Sequence, residues 1–497
     1  MSKLNFPGRS LDFVEYTTCR NWIGGEWKDA ASGETIPVEN PWHGKAMGQV
    51  VMSGAADVDA AVKVAAEAYK TWREVPLKER VQVFFKLKEL CHRDAEELAW
   101  LVTHENGKDY AQAMGSVLKG IECIEMGTAL QQTAAGEQLD VSRGINCSVN
   151  YEPLGVCAGV APFNFPFMVP FWMLPQALCA GNTFVLKPSE QVPYCAMRIA
   201  ELLQEAGLPD GVFNIVNGGR ETVEAITDHP EIKAFGFVGS TKVAKIVYAR
   251  SAQLGKRTLC LGGAKNHLVM VPDADYELTT QTVVASAYGC AGQRCMAASL
   301  LVAVGDSQKL IDGIVEEARK IKLGKDMGAI INKASVERIT NYINDAEKRG
   351  AKVLLDGRNA SVAGFDGYWI GPTILDNVSP DMPAGCEEIF GPVLSIVRAK
   401  TLDEAIEIEN ASPYGNAAAI FTTNGGVARY AIDRFNAGMC GVNVGVPVPR
   451  EPFGFGGWND SKLGHGDLTG MDGFRFWTRP RKVTTKWAMH SDQTWMS

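Results

Sequence analysis

One stretch of the sequence places a thiol, a cation and a glycine within a few residues of one another. Cys295 follows Arg294 directly and comes three positions after Gly292, within Tyr288-Gly-Cys-Ala-Gly-Gln-Arg-Cys-Met-Ala-Ala-Ser299. Cys290 lies in the same stretch, but no second cysteine pair follows at the spacing that zinc sites use. Cys295 is therefore better explained as a nucleophile than as a metal ligand. The competing explanation is a buried free cysteine, since only a perturbed thiol is reactive.

Composition excludes several classes of function. The chain has 497 residues, 46% of them hydrophobic and 21% charged, which predicts two or three globular domains. Its net charge of −8 argues against nucleic acid as the main partner, because a phosphate-binding surface needs a basic excess. The first residues lack a signal-peptide pattern, and the 12 cysteines follow no disulfide spacing. We therefore expect a cytoplasmic protein.

An uncharged stretch over 153–186 is long enough to cross a bilayer. Pro162, Pro166, Pro170 and Pro175 interrupt it, and Asn164 lies inside it. A lipid-exposed helix could not easily satisfy that backbone. The stretch is therefore predicted to be a buried loop and packed core, and no membrane contact is expected.

Hydrophobic periodicity predicts the elements that must position this chemistry. Helices are predicted over 55–72, 76–92, 95–105 and 110–131, a hairpin at 22–27, and strands within 133–150 and 482–487. Apolar runs at 155–161, 183–186, 212–216, 234–238 and 258–261 alternate with predicted helices at 195–206, 220–227 and 242–254. This alternation predicts a parallel sheet with crossover helices, which binds ligands at the carboxyl ends of its strands. A second α/β unit is predicted from about 262 to 440.

Two motifs follow predicted strands of this sheet, although the usual G-x-G-x-x-G dinucleotide fingerprint is absent. Phe237-Val-Gly-Ser-Thr241 runs from a strand into a helix, where N–H groups and the helix dipole favour a phosphate. Ordinary helix N-caps would explain the same residues. In Leu186-Lys-Pro-Ser-Glu190, a lysine and a carboxylate three positions apart are suited to holding ribose hydroxyls.

Six motifs, taken together and in this order, resemble the aldehyde dehydrogenase superfamily from about residue 20 to 487. They are Ala161-Pro-Phe-Asn-Phe-Pro166, Lys187-Pro-Ser-Glu190, Phe237-Val-Gly-Ser-Thr241, Gly292-Gln-Arg-Cys295, Glu387-Glu-Ile-Phe-Gly-Pro392 and Pro452-Phe-Gly454. The resemblance implies an α/β fold with a Rossmann-like NAD-binding domain, an α/β catalytic domain and a small oligomerisation arm. The corresponding ranges are 1–132 with 153–261, then 262–455, then 133–152 with 476–497. A homodimer or homotetramer is implied.

The resemblance also assigns roles, each to a residue that matches a family motif. Cys295 would be the nucleophile, and Asn164 would donate to the oxyanion together with the Cys295 backbone N–H. The residues implied to bind NAD are Phe163, Lys187, Glu190, Gly239, Ser240, Glu388 and Phe390. Glu190 would accept hydrogen bonds from the ribose and repel a 2′-phosphate, which favours NAD over NADP.

The chain departs from the hydrolytic members of this family at two positions. Thr258-Leu-Cys-Leu-Gly-Gly263 has Cys260 where those members carry a water-activating glutamate. Met471 stands where another family acid is found, beside Asp472. Without a base, water should attack a thioester slowly, whereas a thiol such as coenzyme A supplies its own thiolate fraction.

The chain is most similar to the CoA-acylating methylmalonate-semialdehyde dehydrogenase branch. Gly263-Ala-Lys-Asn-His267, Ala291-Gly-Gln-Arg-Cys-Met296 and Gly441-Val-Asn-Val444 carry this similarity. It implies a semialdehyde bearing a carboxylate as substrate, coenzyme A as co-substrate, decarboxylation, and Arg294 as the carboxylate ligand. The branch usually has a second substrate-binding arginine where this chain has Lys119, which lacks the bidentate fork.

Several alternatives stay open at this stage. Arg294 could instead form a buried ion pair, and the substrate could be a related acid or sulfonate semialdehyde. A hydrolytic dehydrogenase with another base, or a non-catalytic binding protein on the same fold, would also fit parts of the pattern. Lys265-Asn-His267 is predicted to be a packing feature in a loop, with His267 acting as a base as the lesser alternative, and no metal site is predicted.

Overall fold

The computed structural model describes residues 8–487. Residues 1–7 and 488–497 lie outside the described residues. The predicted cofactor domain and oligomerisation arm each extend into one of these segments, and the start of the chain predicted to lack a signal peptide lies there as well.

Strands and helices are numbered separately in chain order. The strands are β1 (Asn21–Ile23), β2 (Glu26–Lys28), β3 (Thr35–Asn40), β4 (Lys45–Val51), β5 (Glu137–Ser142), β6 (Ile145–Pro153), β7 (Val156–Val160), β8 (Thr183–Lys187), β9 (Phe213–Ile215), β10 (Ile232–Val238), β11 (Arg257–Leu261), β12 (Asn266–Met270), β13 (Ala298–Val304), β14 (Lys352–Leu355), β15 (Thr373–Asp376), β16 (Val393–Ala399), β17 (Tyr414–Gly415), β18 (Ala417–Phe421), β19 (Met439–Val442), β20 (Trp458–Asn459), β21 (Lys462–Leu463) and β22 (Thr478–Lys486). The helices are α1 (Ala55–Trp72), α2 (Leu77–Arg93), α3 (Ala95–Asn106), α4 (Tyr110–Thr133), α5 (Met168–Cys179), α6 (Tyr194–Glu205), α7 (Arg220–Asp228), α8 (Thr241–Gln253), α9 (Tyr276–Tyr288), α10 (Gln308–Arg319), α11 (Lys333–Lys348), α12 (Pro383–Cys386), α13 (Leu402–Asn410), α14 (Gly425–Ile432) and α15 (Gly470–Phe476).

An eight-stranded sheet has the order β2-β1-β9-β8-β7-β10-β11-β21. Its neighbouring strands β9, β8, β7, β10 and β11 are parallel, because each alternates with a crossover segment along the chain. Val160 of β7 pairs with Lys187 of β8 and with Phe237 of β10, so these strands end together at one edge. The predicted parallel sheet is confirmed, and its carboxyl edge carries the motifs predicted to bind the cofactor.

A seven-stranded sheet follows in the order β14-β15-β16-β13-β12-β18-β19 and encloses its own hydrophobic core. The segment that contains Cys295 leaves α9 and leads into β13 of this sheet. The chain later returns to the first sheet, where β21 pairs antiparallel with β11. A separate three-stranded sheet, β22-β6-β5, lies apart from both.

Local predictions agree with the structure except at two places. The uncharged stretch at 153–186 contains the buried helix α5, with Pro175 inside it, as well as the predicted loop. The prediction of a loop at Lys265-Asn-His267 is wrong, because Asn266 begins the buried strand β12, between β13 and β18. Among residues 8–487, no helix combines the length and apolar content that a membrane crossing requires.

Candidate active site

Two cavities meet at Cys295. The smaller has a volume of about 550 Å³ and lies at the carboxyl edge of the eight-stranded sheet. The larger has a volume of about 860 Å³ and lies between α4, the Cys295 segment and the loop before β20. Cys295 lines both cavities, so one thiol can face ligands from either side. The smaller cavity is lined by Asn164 and by every residue predicted to bind the cofactor, namely Phe163, Lys187, Glu190, Gly239, Ser240, Glu388 and Phe390. Arg294 and Lys119 line the larger one.

The segment that presents Cys295 begins in a tight, left-handed turn. Cys290, Ala291 and Gly292 have φ values of 53°, 54° and 68°, a conformation that side chains beyond glycine rarely adopt. A β-carbon on Gly292 would lie 2.0 Å from the Gly391 carbonyl oxygen, so only glycine fits there. The turn therefore brings the nucleophile segment against the loop that carries Glu388 and Phe390.

Two asparagine side chains hold the Cys295 backbone by hydrogen bonds. The Nδ2 atoms of Asn266 and Asn416 donate to the Cys295 carbonyl oxygen at 2.8 and 3.0 Å. Asn266 Nδ2 also donates to the Ala297 carbonyl oxygen at 2.9 Å. These asparagines were not predicted from the sequence, because they stand in or beside strands that meet Cys295 only in the fold. They fix the backbone of Cys295, a residue of intermediate exposure.

The resting thiol is held in its neutral form. Burial raises the pKa of Cys295 to about 12, and the Glu388 carboxylate contributes to that rise. The backbone N–H groups of Cys295 and Met296, together with Arg294, act in the opposite direction. Burial also raises the pKa of Glu388 to about 7, although the Ala264 N–H, 2.9 Å away, stabilises its charged form. Burial and the Glu388 charge therefore both favour the thiol over the thiolate in the absence of ligands.

Asn164 is buried beside the nucleophile segment and donates to the Gln293 carbonyl oxygen at 3.2 Å. The connection between α3 and α4 holds its loop. Asn106 Nδ2 donates to the Phe163 carbonyl oxygen at 2.8 Å, and the Lys108 ammonium donates to the carbonyl oxygen of Asn164. The sequence predicts only that a helix ends near residue 105, so these contacts, which we call the Asn164 clamp, were not predicted.

Lys108 is an unusual member of this clamp because it is a buried cation. Its ammonium lies 3.8 Å from the centre of the Phe165 ring, and no described carboxylate forms an ion pair with it. Burial lowers the pKa of Lys108 to about 8. Burying a cation without an ion-pair partner costs free energy. Its hydrogen bond to the Asn164 carbonyl oxygen therefore indicates a role in holding the Asn164 loop.

The smaller cavity combines an ion pair with a helix N-terminus. Lys187 Nζ lies 2.8 Å from Glu190 Oε2. Burial alone would raise the pKa of Glu190, but Lys187 outweighs it and holds that pKa below its ordinary value. Ser240 stands at the N-cap of α8, yet its hydroxyl makes no capping hydrogen bond, so the simple N-cap explanation does not hold. The rings of Phe163 and Phe390 meet edge to face, with centroids 5.7 Å apart.

The larger cavity is lined by Arg294 as well as by Cys295. Arg294 Nε lies 3.2 Å from Cys290 Sγ, and its Nη2 donates to the Gln112 side chain. Room for it comes from Gly289, where a β-carbon would lie 2.5 Å from Arg294 Nη1. No described carboxylate pairs with Arg294, so the alternative of a buried ion pair finds no support among residues 8–487. Lys119, by contrast, lies 2.9 Å from Glu122.

Comparisons with known proteins agree with this geometry. The family model described as "Aldehyde dehydrogenase family" matches residues 27–483. The chain belongs to the aldehyde dehydrogenase family. It is 46% identical to malonate-semialdehyde dehydrogenase 2 of Geobacillus kaustophilus, over 95% of this chain and 99% of that protein. It is 45% identical to the malonate-semialdehyde dehydrogenase of Halalkalibacterium halodurans, over 94% and 98% of the two chains.

Solved structures of this family superpose closely. The methylmalonate-semialdehyde dehydrogenase of Oceanimonas doudoroffii has a TM-score of 0.94 at 40% identity, covering 95% of this chain and 99% of that one. A Sinorhizobium meliloti structure, solved in complex with NAD, has a TM-score of 0.94 at 39% identity, covering 97% and 100%. The fold implied by the sequence resemblance is therefore confirmed.

Within this aldehyde dehydrogenase, the residues at the two departures from the hydrolytic pattern lie away from both cavities. Cys260 is fully buried in β11, where burial raises the pKa of its thiol, and it lines neither cavity. Met471 and Asp472 line neither cavity.

His267 is also buried and lines neither cavity. Burial lowers the pKa of His267 to about 4, so its side chain stays neutral. Across residues 8–487, no cluster of three or more histidine, cysteine or acidic side chains could hold a metal ion.

Proposed function

We propose that this aldehyde dehydrogenase oxidises a short semialdehyde that carries a carboxylate, using NAD. The acyl group would form a thioester with Cys295, lose carbon dioxide and pass to coenzyme A. The observation that carries the proposal is Arg294, which lines the larger cavity together with Cys295 and forms no ion pair with a described carboxylate. A substrate carboxylate would supply that partner through charge-assisted hydrogen bonds. Relatives named malonate-semialdehyde and methylmalonate-semialdehyde dehydrogenases support the same substrate class.

The smaller cavity fits NAD in the chemistry of its donors. The Lys187–Glu190 pair would hold the adenosine ribose, and Glu190 favours NAD over NADP because it would repel a 2′-phosphate. The α8 N-terminus at Gly239 and Ser240 offers N–H groups to the pyrophosphate. Glu388 would hold the second ribose, and the aromatic rings of Phe163 and Phe390 would border the nicotinamide. NAD in the similar Sinorhizobium meliloti structure supports this assignment.

The first half of the reaction uses three groups of this chain. Cys295 Sγ attacks the aldehyde carbon, because that carbon cannot release hydride until it is tetrahedral. The Asn164 amide and the Cys295 backbone N–H donate to the oxygen as it gains negative charge. When bound, the nicotinamide supplies the hydride acceptor. The carbonyl then re-forms as a thioester on Cys295.

The second half follows from the position of the carboxylate. In a malonyl-type thioester the carboxylate is β to the carbonyl, so the C–C bond can break with release of carbon dioxide. The electron pair moves into an enolate, which takes up one proton. The thiol of coenzyme A then attacks the carbonyl, and Cys295 leaves as the thiolate. Cys260 and Met471 replace the acids of the hydrolytic pattern and line neither cavity, so coenzyme A, which supplies its own thiolate fraction, should outcompete water.

The deciding experiment follows NADH formation from malonate or methylmalonate semialdehyde with and without coenzyme A. We expect steady turnover with coenzyme A and, without it, a burst of about one NADH per site because the thioester accumulates. Acyl-CoA should appear in step with NADH. Full multiple turnover without coenzyme A would instead favour a hydrolytic dehydrogenase, and absence of NADH would favour a binding protein.

We further propose a homodimer or homotetramer built on the three-stranded sheet β22-β6-β5. Leu139, Val141 and Val483 of this sheet are exposed at 67%, 49% and 39%, which is unfavourable for apolar side chains left in water. Light scattering should give a mass of two or four 53.8 kDa chains, and a monomer mass would contradict this.

A cytoplasmic location is proposed because all twelve cysteines are free, as a reducing compartment would keep them.

A further inference from the structure

The two asparagines that hold the Cys295 backbone form a buried pair. Asn266 begins β12, and Asn416 directly precedes β18, the parallel strand next to it. Both side chains are buried, and Asn416 Nδ2 lies 3.4 Å from Asn266 Oδ1. Each donates to the same atom, the Cys295 carbonyl oxygen, at 2.8 and 3.0 Å. A carbonyl oxygen has two lone pairs, so uncharged side chains satisfy this one completely.

These two hydrogen bonds fix the orientation of a whole peptide group. The Cys295 carbonyl and the Met296 N–H belong to one planar peptide group, and because that group is trans they point in opposite directions. Holding the carbonyl oxygen towards the asparagines therefore turns the Met296 N–H away from them. On that side the N–H faces the sulfur, and its hydrogen bond lowers the pKa of Cys295. The asparagines thus control a donor that they do not touch.

The same hydrogen bonds also polarise the peptide group. Electron density moves towards the carbonyl oxygen when it accepts hydrogen bonds, so the N–H of that group becomes a stronger donor. Other influences on the sulfur are charges: Glu388 raises the pKa of Cys295, and Arg294 lowers it. An asparagine carries no charge at any of the pH values concerned, so its contribution can be separated from those of the two charged groups.

We propose that Asn266 and Asn416 are positioning residues that stabilise the Cys295 thiolate through the peptide group between Cys295 and Met296. They act through the backbone, since neither asparagine lines either of the two cavities that meet at the sulfur. The thiolate is needed twice, when the sulfur attacks the aldehyde and when it leaves the thioester. The inference rests on the proposed function, which makes Cys295 the nucleophile.

The test measures the rate at which iodoacetamide alkylates Cys295 as a function of pH, in the wild type, Asn416→Leu and Asn266→Leu. Leucine approximates the shape of asparagine and removes the donor. Mass spectrometry of the peptide that contains Cys295 separates this thiol from the other cysteines. Asn416→Leu should lower the rate about three- to tenfold at a pH of about 8, because a lost hydrogen bond leaves less thiolate.

Asn266→Leu should act in the same direction, and the double variant should be slower than either single variant. Asn416→Ala removes the donor without adding apolar volume and should also slow alkylation. It therefore keeps the test decisive if the leucine variant does not fold.

Asn443→Ala is the matched control. Asn443 Nδ2 donates to the Thr422 carbonyl oxygen at 3.0 Å, and its Oδ1 accepts from the Thr422 N–H at 3.0 Å. Thr422 follows the end of β18, whereas Asn416 precedes its start, so the control loses a backbone anchor at the opposite end of the same strand. Its unfolding temperature should fall, but its alkylation rate should stay within about twofold of the wild type.

A second reagent separates thiolate content from access. A smaller thiolate fraction should slow iodoacetamide and the bulkier N-ethylmaleimide by the same factor. A narrower approach to the sulfur would slow N-ethylmaleimide more. Unchanged alkylation in both asparagine variants would overturn the inference, and so would a loss confined to the bulkier reagent. The measurement needs no substrate, so failure of the proposed function would appear separately, as absent NADH formation from malonate semialdehyde by the wild type.

Discussion

The two cavities that meet at Cys295 are built in different ways. The smaller one lies at the carboxyl edge of parallel strands and is lined by short motifs and a helix N-terminus. Its one ion pair joins Lys187 and Glu190, which are three residues apart. The larger one is assembled from side chains that are distant in sequence, including Gln112 of α4, Arg294 and Glu451. If the smaller cavity binds the cofactor and the larger one the substrate, as we propose, short motifs specify the cofactor site and residues that only the fold brings together select the substrate.

The charges of the two cavities differ in the same way. In the smaller cavity, Lys187 has its counter-ion three residues away, so the pair persists without a ligand. In the larger cavity, Arg294 contacts Cys290 and Gln112 and has no described carboxylate partner, and we propose that the substrate supplies one. A cation left open in this manner suits a transient ligand, because binding does not have to break an existing ion pair.

The largest expected effect falls on the residue that both cavities share. Cys295→Ala should lower NADH formation by about 10,000-fold or more, because no thioester can form. NAD binding, followed by quenching of protein fluorescence, should persist because the smaller cavity is otherwise intact. Cys440→Ala, at a partly exposed cysteine that lines neither cavity, is the control and should keep normal turnover. Near-normal turnover of the Cys295 variant would refute the mechanism.

The next effect tests the loop between the cavities. Asn164→Ala should slow single-turnover NADH formation by roughly 100-fold, the usual result of removing an oxyanion donor. Lys108→Met should slow the same step by about tenfold, because the loop carrying the asparagine loses an anchor. If Lys108 acts through Asn164, the double variant should be no slower than Asn164→Ala alone. Fully additive losses would give Lys108 a separate role.

A smaller and more selective effect should separate the two cavities. Arg294→Ala should raise KM for malonate semialdehyde by about 10- to 100-fold, since a charge-assisted hydrogen bond contributes about 1.5–3 kcal/mol. KM for propanal and for NAD should hardly change. Arg294→Lys should recover part of the loss. Equal losses on charged and uncharged aldehydes would mean that Arg294 shapes the Cys295 segment instead of binding the carboxylate.

The smallest effect would show where the cavities influence each other. Glu388 lines the cofactor cavity, yet its charge raises the pKa of the Cys295 thiol. Glu388→Gln should therefore lower that pKa, increase the thiolate fraction and accelerate alkylation by iodoacetamide several-fold at a pH of about 8. The rate in both proteins should increase with pH up to the thiol pKa. An alkylation rate unchanged by the substitution would show that burial alone controls the thiol.

Much of the fold could be predicted from the sequence because its signals are local. The alternation of apolar runs and amphipathic helices predicts the parallel sheet, and the strand ends predict where Lys187 and Ser240 lie. The departures at Cys260 and Met471 are visible as substitutions in known motifs. The ion pair between Lys119 and Glu122 is also encoded locally, by helical spacing of three residues, although the family resemblance assigned Lys119 to the substrate.

The sequence by itself determined the order of the elements and was sufficient to predict the nucleophile and the cofactor motifs, because each depends on residues close together in the chain. Tertiary structure alone decided that Asn266 and Asn416 hold Cys295, and that Lys108 holds the Asn164 loop. It also decided that Arg294 is left without a described carboxylate partner while Glu451 enters the same cavity. These outcomes depend on which side chains, far apart in the sequence, pack together in the fold. The local spacing of residues does not determine that.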